Sequence, residues 1–122
     1  MVSEVFKNTW FARFADKEGI TDKELREVVE KLEAGQADAD LGGDVYKMRL
    51  ARPGEGKSGG YRVIVLFRSG ERTFFAFGFA KSDQGSINRK ELKEYRALAK
   101  KYFDLSDEMI GRAIKLGKFF EI

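Results

Sequence analysis

The chain has 122 residues, with 23 lysines and arginines against 20 aspartates and glutamates, and it contains neither histidine nor cysteine. Without cysteine, disulfides, thiol chemistry and thiolate metal sites are excluded. Without histidine, the usual neutral-pH acid/base and the commonest metal ligand are missing as well. The length fits one domain, residues 1–122, and no apolar run nears the roughly 20 residues of a membrane span.

In chain order, the opening MVSEVFKNTWF lacks the charged-then-apolar order of a secretory signal, so a cytoplasmic protein is expected. Val2 to Lys7 reads as a short strand. Asn8 or Thr9 then caps a helix through about Lys17, with Trp10, Phe11 and Phe14 on its apolar side and Gly19 at its end. Thr21 and Glu24 form a capping box for a second helix, whose stripe is Leu25, Val28, Val29 and Leu32. This αα-hairpin needs a sheet to cover its apolar stripe. Gln36 to Asp44 reads as a polar loop. Its acids Asp38, Asp40 and Asp44 follow no calcium-loop pattern, and no metal or cofactor is expected.

Val45 to Ala51 alternates, so Tyr46, Met48 and Leu50 share one face and Lys47 and Arg49 the other. The loop ARPGEGKS, Ala51 to Ser58, fits a relaxed phosphate-loop pattern. Such a loop must open a helix to aim its N–H groups at phosphate. The run after Gly59 and Gly60, from Tyr61 to Arg68, is β-branched and aromatic and reads as a central strand, which argues for a cationic hairpin instead. Ser69 to Glu71 makes a turn into a third strand, Arg72 to Ala80, with Phe75, Phe77 and Phe79 expected on one face. Gly78 marks a bulge or a close backbone approach. The phenylalanines invite a base-stacking reading, but an aromatic row on an inner strand is more commonly core. Asn88 and Glu91 open a third helix lined by Leu92, Tyr95, Ala99 and Tyr102. Ser106 caps a fourth, stapled by Leu105 and Ile110, and the apolar tail Phe119, Phe120 and Ile122 is expected to dock on the domain.

Charge is segregated. Val45 to Lys90 holds ten basic and three acidic residues, a local +7, against −4 for the remainder. Such a field suits an anionic partner such as nucleic acid, although a solvated sheet face has the same composition. RNA carries its own nucleophile, the ribose 2′-OH. Cleavage then requires a group to take that proton and cations to hold the phosphate. Guanidinium groups grip phosphate bidentately, and a lysine crowded by other cations gives up its proton more readily. Lys47, crowded by Arg49 and Arg62, is the candidate base.

Three segments, Asp44 to Leu50 (DVYKMRL), Ser58 to Val63 (SGGYRV) and Phe77 to Ser82 (FGFAKS), resemble the RelE/HigB toxins of bacterial type II toxin–antitoxin systems. The long loop Arg52 to Gly60 resembles the HigB-like branch. The resemblance covers about Val2 to Phe103. It implies a small α+β domain, with an N-terminal strand and αα-hairpin packed on a mostly antiparallel sheet and C-terminal helices after it, residues 106–122 forming an extension. It also implies a metal-independent endoribonuclease that cuts mRNA in the ribosomal A site. An antitoxin from the neighbouring gene, of helix-turn-helix type, would neutralise it. By position, Lys47 resembles the family's base, Arg49 its second strand cation and Arg62 its phosphate binder. Lys81 falls where the family has a basic pair, with Arg52 and Lys57 as further RNA contacts. Ser82 replaces the second member of that pair, and the tyrosine that some members use after the strand has no clear match in Asp83 to Asn88 (DQGSIN), so the general acid is open. A non-nuclease toxin of the same superfamily, such as a gyrase poison, is the alternative.

Overall fold

The computed structural model describes residues 4–52, 60–82 and 86–122. Strand β1 (Val5–Asn8) runs directly into helix α1 (Thr9–Glu18), because the Asn8 side chain accepts the backbone N–H of Phe11 and starts the helix. Gly19 adopts φ 71°, a left-handed conformation that closes it without a Cβ penalty. The Thr21–Glu24 capping box opens α2 (Asp22–Glu33). Farther on, the Asn88–Glu91 box opens α3 (Arg89–Phe103) and Ser106 opens α4 (Asp107–Lys115). Each start lies where a short-range side-chain acceptor meets orphan N–H groups, as the sequence predicts.

The remaining elements are β2 (Ala39–Asp40), β3 (Val45–Arg52), β4 (Gly60–Phe67), β5 (Thr73–Ala80) and β6 (Phe119–Glu121). They join β1 in one sheet of order β2-β3-β4-β5-β1-β6, in which only the β1–β5 pairing is parallel. The fold is therefore α+β with a mostly antiparallel sheet. One face carries Met48, Leu50, Val63, Val65 and Phe75 against Phe11, Leu25, Val28, Val29 and Leu32 of α1 and α2. The other carries Phe6, Val45, Ile64, Leu66 and Phe74 against Ala99 of α3, Ile110 of α4 and Phe119. With helices on both sides, every residue of β4 is buried, which explains its continuous apolar run. No described helix is long and apolar enough to cross a membrane.

The structure corrects or completes four expectations. Phe75, Phe77 and Phe79 do not share a face. Ile64 pairs with Phe77 but Val65 pairs with Phe75, so Ala76 is an extra residue in β5. This bulge rotates the strand by one position, leaving Phe75 in the α1–α2 core and turning Phe77 to the α3 side. Gly78 itself marks a close approach, since a Cβ there would lie 2.6 Å from the Phe14 ring. The Gln36–Asp44 loop contains β2, paired with Tyr46 and Lys47 of β3. The tail docks as a strand on β1, burying Phe119 while leaving Phe120 41% exposed.

Candidate functional site

Arg49 pairs directly with Arg62 across β3 and β4, and Lys47 pairs with Ile64. Arg62 in turn pairs with Phe79 on β5. Directly opposed residues share a face, as do residues two apart on one strand. Lys47, Arg49, Arg62 and Phe79 therefore project from the same side of the sheet, away from Met48 and Leu50. The sequence alternation predicts the first two as a pair, and the register adds Arg62 beside Arg49.

The three cations are not equally accessible. The Arg49 side chain is 49% exposed, Lys47 is half-buried, and Arg62 is only 7% exposed. Alternation along β3 predicts that Lys47 and Arg49 project from the solvent side of the strand. Instead α3 and α4 pack on this side of the sheet, and Arg62 stands on the central strand. Its Nη1 donates to the Tyr61 carbonyl at 3.3 Å, which fixes the planar guanidinium in orientation.

Asp38 positions Arg49. Its carboxylate accepts the Arg49 backbone N–H at 2.7 Å and contacts Nη2 at 3.4 Å. Lys47 forms no ion pair among the described residues. Lys81 is exposed just beyond β5, its backbone N–H bonded to the Gly60 carbonyl at 2.9 Å. Arg52 is the last residue of β3. Lys57 lies outside the described residues. The phosphate-loop reading of ARPGEGKS lacks its helix, because the described chain resumes as strand β4.

Part of the basic excess is already matched by carboxylates. Arg68 Nε bonds Asp44 at 2.8 Å and its guanidinium lies 4.5 Å over the Phe103 ring. Arg72 reaches Glu4 at 3.5 Å and also pairs with Asp107. Asp40 accepts the Gly42 N–H at 2.9 Å. So Asp38, Asp40 and Asp44 each act within the loop and sheet.

On the same side, Tyr95 of α3 lies 5.5 Å from the ring of Phe77, the strand partner of Ile64. Burial raises its pKa, and Glu91 and Glu94 add to the rise, so the phenol stays protonated at neutral pH. Sequence reading assigns Tyr95 to the apolar face of its helix and gives no sign that it neighbours this strand. It likewise gives no sign of the Asp38–Arg49 contact, which joins β3 to the loop before β2.

A family model described as the RelE toxin of the RelE/RelB toxin–antitoxin system matches residues 3–122. The chain belongs to the RelE toxin family. It is thus a toxin of toxin–antitoxin type, with an antitoxin partner implied by the family. The family resemblance carried by the β3, β4 and β5 segments is borne out. The RelE match runs through α4 and β6 to the last residue of the sequence.

Proposed function

We propose that this RelE-family toxin is a ribosome-dependent endoribonuclease that cuts mRNA in the A site without a metal. In this reading the ribose 2′-oxygen attacks the adjacent phosphorus as Lys47 Nζ accepts its proton. Arg49 and Arg62 hold the non-bridging phosphate oxygens as charge builds on them. The P–O5′ bond breaks, Lys81 supplies the proton to the leaving oxygen, and a 2′,3′-cyclic phosphate and a 5′-hydroxyl result. Arg52 and Lys57 hold the flanking RNA. The toxin acts in the cytoplasm as one RelE-like domain, and a helix-turn-helix antitoxin encoded beside it neutralises it.

The observation that carries this reading is the in-register Arg49–Arg62 pair with Lys47 two residues along the same face. Two guanidinium groups and an amine on one patch form a receptor for a phosphodiester. In a chain without histidine, amines, phenols and carboxylates are the groups left for proton transfer.

The test is primer extension on mRNA after adding the toxin to translating ribosomes. Cuts are expected inside the A-site codon. Lys47→Ala should slow cleavage by about a hundredfold or more with an unchanged circular dichroism spectrum. Equal cutting by Lys47→Ala and the wild type removes the assigned base.

The burial of Arg62 favours one other reading, a toxin of the same superfamily that binds without cutting RNA. Growth arrest with intact mRNA and broken DNA would support that reading over cleavage.

A further inference from the structure

Trp10 is the chain's single tryptophan, and it is 45% exposed. Its ring stacks on Phe14 at 5.4 Å and 19°, and lies 4.3 Å from Phe77. Phe14 is itself held by Phe11 at 5.7 Å and by an edge contact with Tyr61 at 5.8 Å. The exposed indole is therefore braced from below by a rigid aromatic stack.

Arg13 and Lys17 follow Trp10 by three and seven residues, on the same stripe of α1 as Phe14. These four side chains line a concave site of about 410 Å³. Arg13 and Lys17 are both exposed and form no ion pair among the described residues.

A structural role accounts for part of this. β1 pairs with β5 only as far as Phe75, so the next stretch of β5 has an open edge. Asn8 Nδ2 donates to the Ala76 carbonyl there at 3.2 Å, and Trp10 covers the neighbouring Phe77. Edge cover does not call for a half-exposed indole flanked by two exposed cations. The patch also lies near the cationic face, two strand positions from it along β5. Phe77 lies 6.1 Å from Phe79, the direct strand partner of Arg62.

We infer that Trp10, Arg13 and Lys17 form a second contact site for single-stranded RNA, with a base stacked on the indole and phosphates held by the two cations. The inference rests on the proposed function, since it extends the path of the same strand from the Lys47–Arg49–Arg62 patch to α1. Base–aromatic stacking is tolerant of sequence because every base has a π face, and cations beside the ring hold the backbone. An acidic segment of a protein partner would satisfy Arg13 and Lys17 but would not need a flat, braced, exposed indole.

The test uses the fluorescence of Trp10 and a 2′-O-methyl oligoribonucleotide, which the proposed chemistry cannot cut. Quenching is expected with this strand and not with an abasic sugar–phosphate strand of equal length. Trp10→Ala should weaken binding, measured by anisotropy of the labelled strand, by roughly tenfold or more. The double variant Arg13→Gln, Lys17→Gln should lower the slope of log affinity against log salt by about 1.4. Unmoved fluorescence together with wild-type affinity in Trp10→Ala overturns the inference. So does quenching by polyglutamate but not by the oligonucleotide, which assigns the patch to a protein partner. Because the strand is uncleavable, stacking on Trp10 without ribosomal cleavage keeps this site and ends the nuclease reading. Ribosomal cleavage without stacking does the reverse.

Discussion

Arg49 and Arg62 stand directly opposite each other across β3 and β4, on one face of the sheet. Like charges in such a pair repel, and an anion between them relieves the repulsion. Asp38 offsets Arg49 from the side at 3.4 Å, but Arg49 remains half-exposed and able to turn toward a ligand.

An uncleavable RNA strand should therefore stabilise the fold. At a hundred times its dissociation constant the gain is about 2.7 kcal/mol, read as a rise in Tm. Arg49→Gln combined with Lys47→Gln should remove most of that rise while leaving the unliganded Tm within a degree or two. A full rise in the double variant would place the anion elsewhere.

Gly78 is required by Phe14. A Cβ would lie 2.6 Å from the ring edge, and the ring is held by Phe11, Tyr61 and Trp10. Gly78→Ala should cost about 1–3 kcal/mol in urea unfolding and shift the emission of Trp10, which rests on the displaced ring. Wild-type stability and emission would mean that Phe14 moves freely.

The C-terminal strand carries its stability in one residue. Phe119 is 5% exposed and lies 5.0 Å from Tyr102, 5.4 Å from Phe74 and 6.0 Å from Phe6. Phe119→Ala should destabilise by about 3–5 kcal/mol. Its exposed neighbour provides the control, since Phe120→Ala should stay within about 0.5 kcal/mol of wild type. Similar losses for both would show that strand pairing, and not the buried ring, holds the tail.

Stability should fall at alkaline pH. Tyr46, Tyr95 and Tyr102 are all pushed above the ordinary phenol value of 10.0, each chiefly by burial. Asp40 and Asp44 add to the rise at Tyr46, whereas the Asn8 contact opposes it at Tyr102. The folded state thus holds phenol protons that the unfolded chain has lost, so this stabilisation is complete below pH 10.0 and declines as pH rises toward the raised values. Tyr95→Phe should flatten that decline in Tm. An identical decline in the variant would assign the alkaline loss to other groups.

The helix starts and the β3 alternation were legible in the sequence because their causes are local. Asn8, Thr21, Asn88 and Ser106 each bond an N–H three residues on. Lys47 and Arg49 share a face because strand periodicity is two. The cationic hairpin and the family followed from the same short segments. The aromatic pattern of β5 misled, because nothing in TFFAFGFA says that Ala76 is the extra residue. The bulge exists only in the pairing with β4.

The sequence by itself determined which residues are helix caps, which alternate along β3, and that no imidazole or thiol is present to do chemistry. Only the tertiary structure decided that Arg62 meets Arg49, that Arg62 is buried, and that Asp38, Asp44 and Asp107 match Arg49, Arg68 and Arg72. The reason is range. A cap or an alternation is set by neighbours within a turn or a strand, whereas these ion pairs join residues 11, 24 and 35 positions apart. Strand pairing brings Asp38 to Arg49 and Asp44 to Arg68, and the helix α4 packed on the sheet brings Asp107 to Arg72.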